Sequence, residues 1–144
     1  MIALVDTNIF LNVIREEKEF LRTSEEFLRK VQSKEITGLA SCVALMEIKW
    51  ALFERKECAK ADKAVSLIEE IVEIVPVDRE VAKETIDLKI KKKTELLDSI
   101  HVVTAIMNDA VFVTRDDDLR RKVEDAISIK KPEDILKELQ GKEY

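Results

Sequence analysis

Glycine and proline are close to absent, with two of each in 144 residues, far below ordinary usage. Few loops are therefore expected to be long or sharply turned, and helices should dominate. Aromatic residues make up 5% of the chain against 46% for hydrophobic residues overall, so the core must be aliphatic, built of Ile, Val, Leu and Ala. The two cysteines, Cys42 and Cys58, fit no zinc or redox spacing. They are expected to stay reduced in a cytoplasmic protein, with Cys42 as a small core residue. A single histidine leaves no His or Cys ligand set for a soft metal. The opening Met1–Val5 meets Asp6 too early for a signal peptide. The uncharged stretches Ile36–Met46 and Ser99–Asn108 fall well short of the roughly 20 residues that span a bilayer, so no membrane is expected. Repeats, low-complexity tracts and linkers are also missing. A chain of this length fits one domain, residues 1–144, large enough to bury a core without staples.

Charge, by contrast, is plentiful. Charged residues reach 38%, where about a quarter is usual. Such a composition is met in proteins from hot environments and equally on exposed helix faces. Lys and Arg total 25 against 30 for Asp and Glu, a formal charge of −5. That is not the bulk signature of a nucleic-acid binder. Four acids gathered in one metal site would account for most of the deficit, and bound divalent ions would reverse the local sign.

Short apolar runs alternate with helical periodicity along the chain. Ile2–Val5, Leu39–Val43, Ile74–Val77, Ala110–Thr114 and Ile127–Ile129 read as strands. Between them the spacing predicts helices over Thr7–Arg15, Glu19–Lys34, Ala44–Arg55, Ala59–Glu73, Arg79–Lys91 and Leu97–Asn108. A short helix follows over Leu119–Glu124, and a last one over Pro132–Leu139. Gly38 is expected just past the end of the second helix, and Asp78 as an N-cap. Short apolar strands separated by helices mean a parallel sheet covered on both faces: an α/β fold of three layers, α/β/α, around four or five strands.

Four acids stand apart from the surface pattern. On a helix, Glu47 has Val43, Ala44, Trp50 and Ala51 at its i±3 and i±4 neighbours, all apolar. A carboxylate there needs a cation, either a metal or a buried Lys or Arg. Asp6 and Asp116 follow predicted strands, and the carboxyl end of a strand is where open α/β sheets place their sites. Asp98 opens an apolar helix. Taken singly, each aspartate reads as a helix N-cap. Taken together, carboxylates converging on one sheet edge repel strongly unless a hard divalent cation neutralises them. An all-oxygen set suits Mg²⁺ or Mn²⁺. Thr7, Asn8 and Thr114 are positioned to hold phosphate or carboxylates by hydrogen bonds. Asp118 is a further acid or a solvated turn residue. Lys49, Lys89, Lys91, Lys92, Lys93, Arg120 and Arg121 read mainly as solvated surface, with Arg115, beside the fourth acid, as the favoured candidate for a phosphate-backbone contact. His101, three residues after Asp98, is expected to be a hydrogen-bonded, partly buried histidine. Trp50 and Phe53 are expected in core or dimer packing.

Val5-Asp6-Thr7-Asn8, the Glu47 helix, Leu97-Asp98-Ser99-Ile100 and Val113-Thr114-Arg115-Asp116 resemble, in order and spacing, the four acidic motifs of PIN-domain nucleases. The likeness runs over almost the whole chain and is strongest to small members that act as toxins in VapC-type toxin–antitoxin pairs. It implies a PIN-like fold and Mg²⁺- or Mn²⁺-dependent endonucleolytic cleavage of RNA. Asp6, Asp98 and Asp116 would ligate the metal, and Glu47 would ligate it or orient the attacking water. It also implies a homodimer and an antitoxin protein as partner. The contrasting reading is a catalytically silent PIN-like module that binds nucleic acid or serves assembly. A haloacid-dehalogenase-like phosphatase would need an Asp where this chain has Asn8.

Overall fold

A computed structural model describes residues 1–142 of the chain. Among them, five strands form one sheet in the order β3-β2-β1-β4-β5, and every neighbouring pair is parallel. The strands are β1 (Ile2–Val5), β2 (Thr37–Ser41), β3 (Glu73–Val75), β4 (Val111–Val113) and β5 (Ile129–Lys130). The helices are α1 (Thr7–Ile14), α2 (Leu21–Gln32), α3 (Cys42–Glu54), α4 (Cys58–Ile71), α5 (Arg79–Lys92), α6 (Leu96–Met107), α7 (Asp117–Val123) and α8 (Pro132–Gly141).

Alternation along β1 assigns the layers. Ala3 and Val5 point into a core filled by Phe10 of α1, Phe27 and Val31 of α2, Ile48 and Leu52 of α3, Ile68 of α4 and Ile135 of α8. Leu4 points the other way, into a second core with Val102 and Ala105 of α6, Phe112 of β4, and Leu119 and Val123 of α7. Both faces of the sheet are covered, which is why its strands read as continuous apolar runs. Progression along the sheet reverses at β1, which pairs with β2 on one side and β4 on the other. The crevice at such a reversal, outside the carboxyl ends of the strands, is the usual ligand position in open α/β sheets.

Several element boundaries differ from the sequence expectation. The second strand ends at Ser41, not Val43, because the Ser41 hydroxyl accepts the Val43 N–H and starts α3. Cys42 thereby becomes a half-exposed first-turn residue, not core. Gly38 lies inside β2, where a Cβ would stand 2.4 Å from Val31 Cγ1 and 2.9 Å from Val72 Cγ1. The last strand is shifted to Ile129–Lys130, and the short helix before it starts at Asp117.

Scarce glycine does not remove sharp turns. Glu16, Lys34, Lys56, Lys93 and Asp109 all take positive φ, between 51° and 68°, and each follows a helix. After α3, Lys56 N–H donates to Phe53 O and Glu57 N–H to Leu52 O, the paired bonds of a Schellman stop. Left-handed non-glycine residues thus terminate these helices.

Candidate metal and phosphodiester site

Strand ends and helix starts bring the acids to one edge. Asp6 follows β1 and caps α1, its Oδ1 accepting the Thr7 N–H at 2.8 Å. Its backbone N–H is tied to Val113 O of the adjacent strand at 2.9 Å. Asp116 follows β4 and caps α7 by accepting the Leu119 N–H at 3.0 Å. The capping expected of these two aspartates is therefore present, and Asp116 also lines a cleft beside Asp98. Asp98 is different. The N-cap of α6 is Glu95, and Asp98 sits within the first turn, so capping does not explain it.

Two threonines brace the acids. Thr114 Oγ1 donates to Asp6 Oδ2 at 2.7 Å and accepts the Asp116 N–H at 3.1 Å. Thr7 gives Asp6 its N–H and donates its hydroxyl to Glu47 Oε1 at 2.9 Å. Glu47 is also reached by His101, whose Nε2 lies 2.6 Å from Oε1. Thus the cation partner of Glu47 within the protein is the histidine, not a Lys or Arg. The same imidazole is 3.9 Å from Asp6 Oδ1 and is fully buried, not partly. Asn8 is half-buried, and its Oδ1 has no partner among the described residues. Asp118 lines a cleft of about 140 Å³ with Thr94, Glu95, Asp98, Asp116 and Lys122, and its exposed carboxylate pairs with Arg121 at 2.7 Å.

Proton affinities confirm the crowding. Asp98 is pushed up to about 6, first by burial, then by the charges of Asp6 and Asp116, with Glu47 adding to this and His101 opposing it. Burial also raises Asp6, although His101, Thr114 and the Thr7 N–H pull it down. Burial would raise Glu47 too. Its hydrogen bonds from His101 and Thr7, with the imidazole charge, outweigh that and hold it below the usual carboxylate range. His101 is depressed by burial but raised more by Glu47, Asp6 and Asp98. Two acids shifted up, one down and a buried imidazole, all acting on one another by charge, make this cluster the candidate site.

No three Asp, Glu, His or Cys side chains among the described residues close on a single point as a ready-made ion cage. Asp98 and Asp116 line the cleft, and Asp6 and Glu47 lie close enough to act on Asp98 by charge. The chemistry of this cluster suits a hard divalent ion: oxygen donors, mutual repulsion that lifts Asp98, and an imidazole already engaged by Glu47.

The structure also places Arg115, Trp50 and Phe53. Arg115 faces away from the crevice. Its Nε donates to Asn12 Oδ1 at 2.9 Å, Nη1 to Glu133 Oε1 at 2.6 Å, and Nη2 to Thr23 and Ser24 hydroxyls, both at 2.9 Å. Its guanidinium also lies 4.6 Å from the centre of the Phe20 ring. These contacts make it a strut between the β4–α7 loop and α1, α2 and α8, not a phosphate contact. Of the two placements expected of Trp50 and Phe53, core or dimer packing, the core is excluded. They stack on each other at 5.4 Å and are 61% and 58% exposed beside Met46 at 59%. The apolar neighbours that seemed to bury Glu47 thus include an exposed tryptophan, and Glu47 keeps a 29% exposed side chain. The histidine was the under-read residue. The test applied to Glu47 does not pick it out, because its i±3 and i±4 neighbours are Leu97, Asp98, Thr104 and Ala105, two of them polar.

The family model for the PIN domain matches residues 3–125. No curated protein in the comparison matches. Solved structures similar to this chain include VapBC2 from Rickettsia felis bound to a fragment of promoter DNA, with TM-score 0.73, 17% identity, and coverage of 91% of this chain and 98% of the other. DNA-bound VapBC from Salmonella typhimurium matches with TM-score 0.72 and 18% identity over 92% of this chain and 98% of the other. A toxin–antitoxin complex from Klebsiella pneumoniae matches with TM-score 0.68 and 20% identity over 90% and 97%.

Proposed function

This chain belongs to the PIN-domain family, and on that premise we propose that it is a metal-dependent endoribonuclease, the toxin of a toxin–antitoxin pair. The observation that carries the proposal is the pressure on Asp98. Burial and the charges of Asp6 and Asp116 lift it to about 6, a cost that a divalent cation would relieve.

Asp6, Asp98 and Asp116 would hold Mg²⁺ or Mn²⁺. When bound, the ion supplies an activated water nucleophile and neutralises charge developing on the phosphodiester. Asp6 is fixed for this by the Thr7 N–H and the Thr114 hydroxyl. Asp116 is held to the same brace through its N–H. Glu47 accepts both its hydrogen bonds at Oε1, and its Oε2 orients the attacking water. Asp118 and Lys122 stand at the rim of the cleft, where the RNA backbone passes. Asn8 contributes a polar group beside Asp6 and Thr7.

The partners follow the same reading. Similar folds come from toxin–antitoxin complexes, and an antitoxin protein is proposed here. The exposed Met46, Trp50 and Phe53 on α3 form an apolar patch of the kind that marks protein interfaces, and a homodimer through this face is proposed. No helix among the described residues is long and apolar enough to cross a membrane, and a cytoplasmic single-domain protein fits the proposal.

The test is cleavage of RNA by purified protein with Mn²⁺ or Mg²⁺, with an EDTA control and Asp6→Asn alongside wild type. Cleavage only by wild type with metal is expected. Equal cleavage by the variant, or in EDTA, would refute the site; no cleavage in any condition leaves the silent-module reading standing.

A further inference from the structure

We propose that His101 is the positioning residue of this site: it clamps one oxygen of Glu47, so that the other alone faces the ion and the water. The inference rests on the metal-dependent reading above.

Three observations carry it. First, the imidazole meets the acid at hydrogen-bonding distance, Nε2 to Glu47 Oε1 at 2.6 Å, and Thr7 donates to that same oxygen at 2.9 Å. A carboxylate can only accept, so Nε2 carries the proton. Second, every polar contact of the ring among the described residues is made by Nε2, the others being longer, 3.5 Å to Thr7 Oγ1 and 3.9 Å to Asp6 Oδ1. Nδ1 is buried without a partner, so Nε2 alone anchors the ring to the polar cluster. Third, the ring is immobilised by apolar packing. Its side chain is 1% exposed and stacks on Phe112 of β4, with centroids 6.4 Å apart and planes 18° from parallel. An imidazole fixed by stacking, with one hydrogen bond aimed at one carboxylate oxygen, is a device for holding that carboxylate.

The arrangement also separates His101 from the reacting groups. It lies behind Glu47, Thr7 and Asp6 and has almost no solvent-facing surface, so it acts through Glu47 and does not itself meet the phosphodiester.

The test compares His101→Leu with His101→Gln in the full chain, by calorimetric titration with Mn²⁺ alone. Glutamine places an N–H donor at a reach similar to Nε2, whereas leucine fills space without one. His101→Leu is expected to weaken Mn²⁺ binding by about 10–100-fold, the usual effect of losing a group that orients a ligand, and His101→Gln to restore most of it. A purely structural role would change melting temperature without that split. Long-range ¹⁵N–¹H spectra of the wild type give a second readout that needs no variant to fold. A proton on Nε2 is expected; a neutral ring protonated on Nδ1 overturns the inference. It also falls if the leucine variant binds Mn²⁺ like wild type, or if the glutamine variant loses as much as the leucine variant. Failure of wild type to bind Mn²⁺ would instead sink the metal-dependent reading, and this inference with it.

Discussion

Replacing Arg115 by methionine removes four internal hydrogen bonds while keeping most of the side-chain stem. The partners left behind are unequal. Ser24 can still donate to Asn12 Oδ1 at 2.9 Å, and Thr23 to Glu133 Oε1 at 2.6 Å. Glu133, however, loses its cation. In the wild type its proton affinity is raised by burial but lowered more by Thr23, its own backbone N–H and Arg115. Arg115 is 9% exposed and Glu133 33%, so water recovers part of the lost pairing. Removing one member of a fully buried pair typically costs about 3–5 kcal/mol, and partial exposure places this site at the low end, about 3 kcal/mol. For a chain of this size each kcal/mol lowers the melting temperature by roughly 2–4 °C, so the expected drop is about 6–12 °C.

The assay is thermal unfolding in EDTA, followed by circular dichroism, with a double variant adding Glu133→Met. That second change should recover stability, since replacing both charges by apolar groups removes the stranded carboxylate. RNA affinity of the folded variant, measured in the non-cleaving Asp6→Asn background at low temperature, should be unchanged, with the same salt dependence. An unchanged melting temperature combined with weaker RNA binding and a shallower salt slope would refute the strut and return Arg115 to the substrate.

The remaining expectations are narrower. Gly38→Ala should destabilise the protein by about 1–3 kcal/mol, the usual cost of overpacking, because the new methyl meets Val31 and Val72; urea denaturation measures it. Lys56→Gly should stabilise by about 1 kcal/mol, since it relieves a left-handed non-glycine residue with φ 59° at a helix stop; the same denaturation curves report it. Asp98 has its folded pKa raised from 3.8 to about 6, so its proton stabilises the metal-free fold at low pH, and that contribution is lost as pH rises through about 6. Asp98→Asn should flatten this part of the stability profile in EDTA; a profile equally steep in the variant would contradict it. Trp50→Glu should yield monomers on a sizing column if the α3 face joins two copies, and unchanged elution would rule that face out.

The layers were legible in the sequence because both-sided burial leaves a plain signature. Ile2–Val5 and Ala110–Thr114 are uninterrupted apolar runs, and each is a central strand. Boundaries were less legible where one residue has two uses. Gly38 was assigned to a helix end from its flexibility, whereas its place in β2 follows from the space taken by Val31 and Val72. The helix stop was a left-handed lysine, Lys34, whose sequence carries no such signal. The direction of Arg115 was not legible for a related reason. Proximity to Asp116 in sequence says nothing about direction, and the partners that turn it away come from α1, α2 and α8.

The acidic site shows why capping and ligand binding should not have been weighed as rivals. An aspartate after a parallel strand and before a helix accepts a helix N–H with one oxygen, as Asp6 does with Thr7 and Asp116 with Leu119. That bond orients the carboxylate at the edge where the strands end. Asp6 and Asp116 are therefore aimed by the same contacts that first seemed to explain them away. Glu47 and Asp98 have no such device, because both lie within helices. Glu47 is aimed instead by Thr7 and His101. Asp98 stands in the first turn of α6 under the charge of its neighbours. It follows that Asp98 should be the acid most changed by a bound cation: its proton affinity has most to lose when the repulsion from Asp6 and Asp116 is cancelled. Carboxyl NMR titrations with and without Mg²⁺ would show Asp98 moving down from about 6 by more than Glu47, which His101 and Thr7 already hold low. If Glu47 shifted more than Asp98, the ion would sit beside the helix that carries Glu47, and the division of roles proposed for the four acids would be wrong.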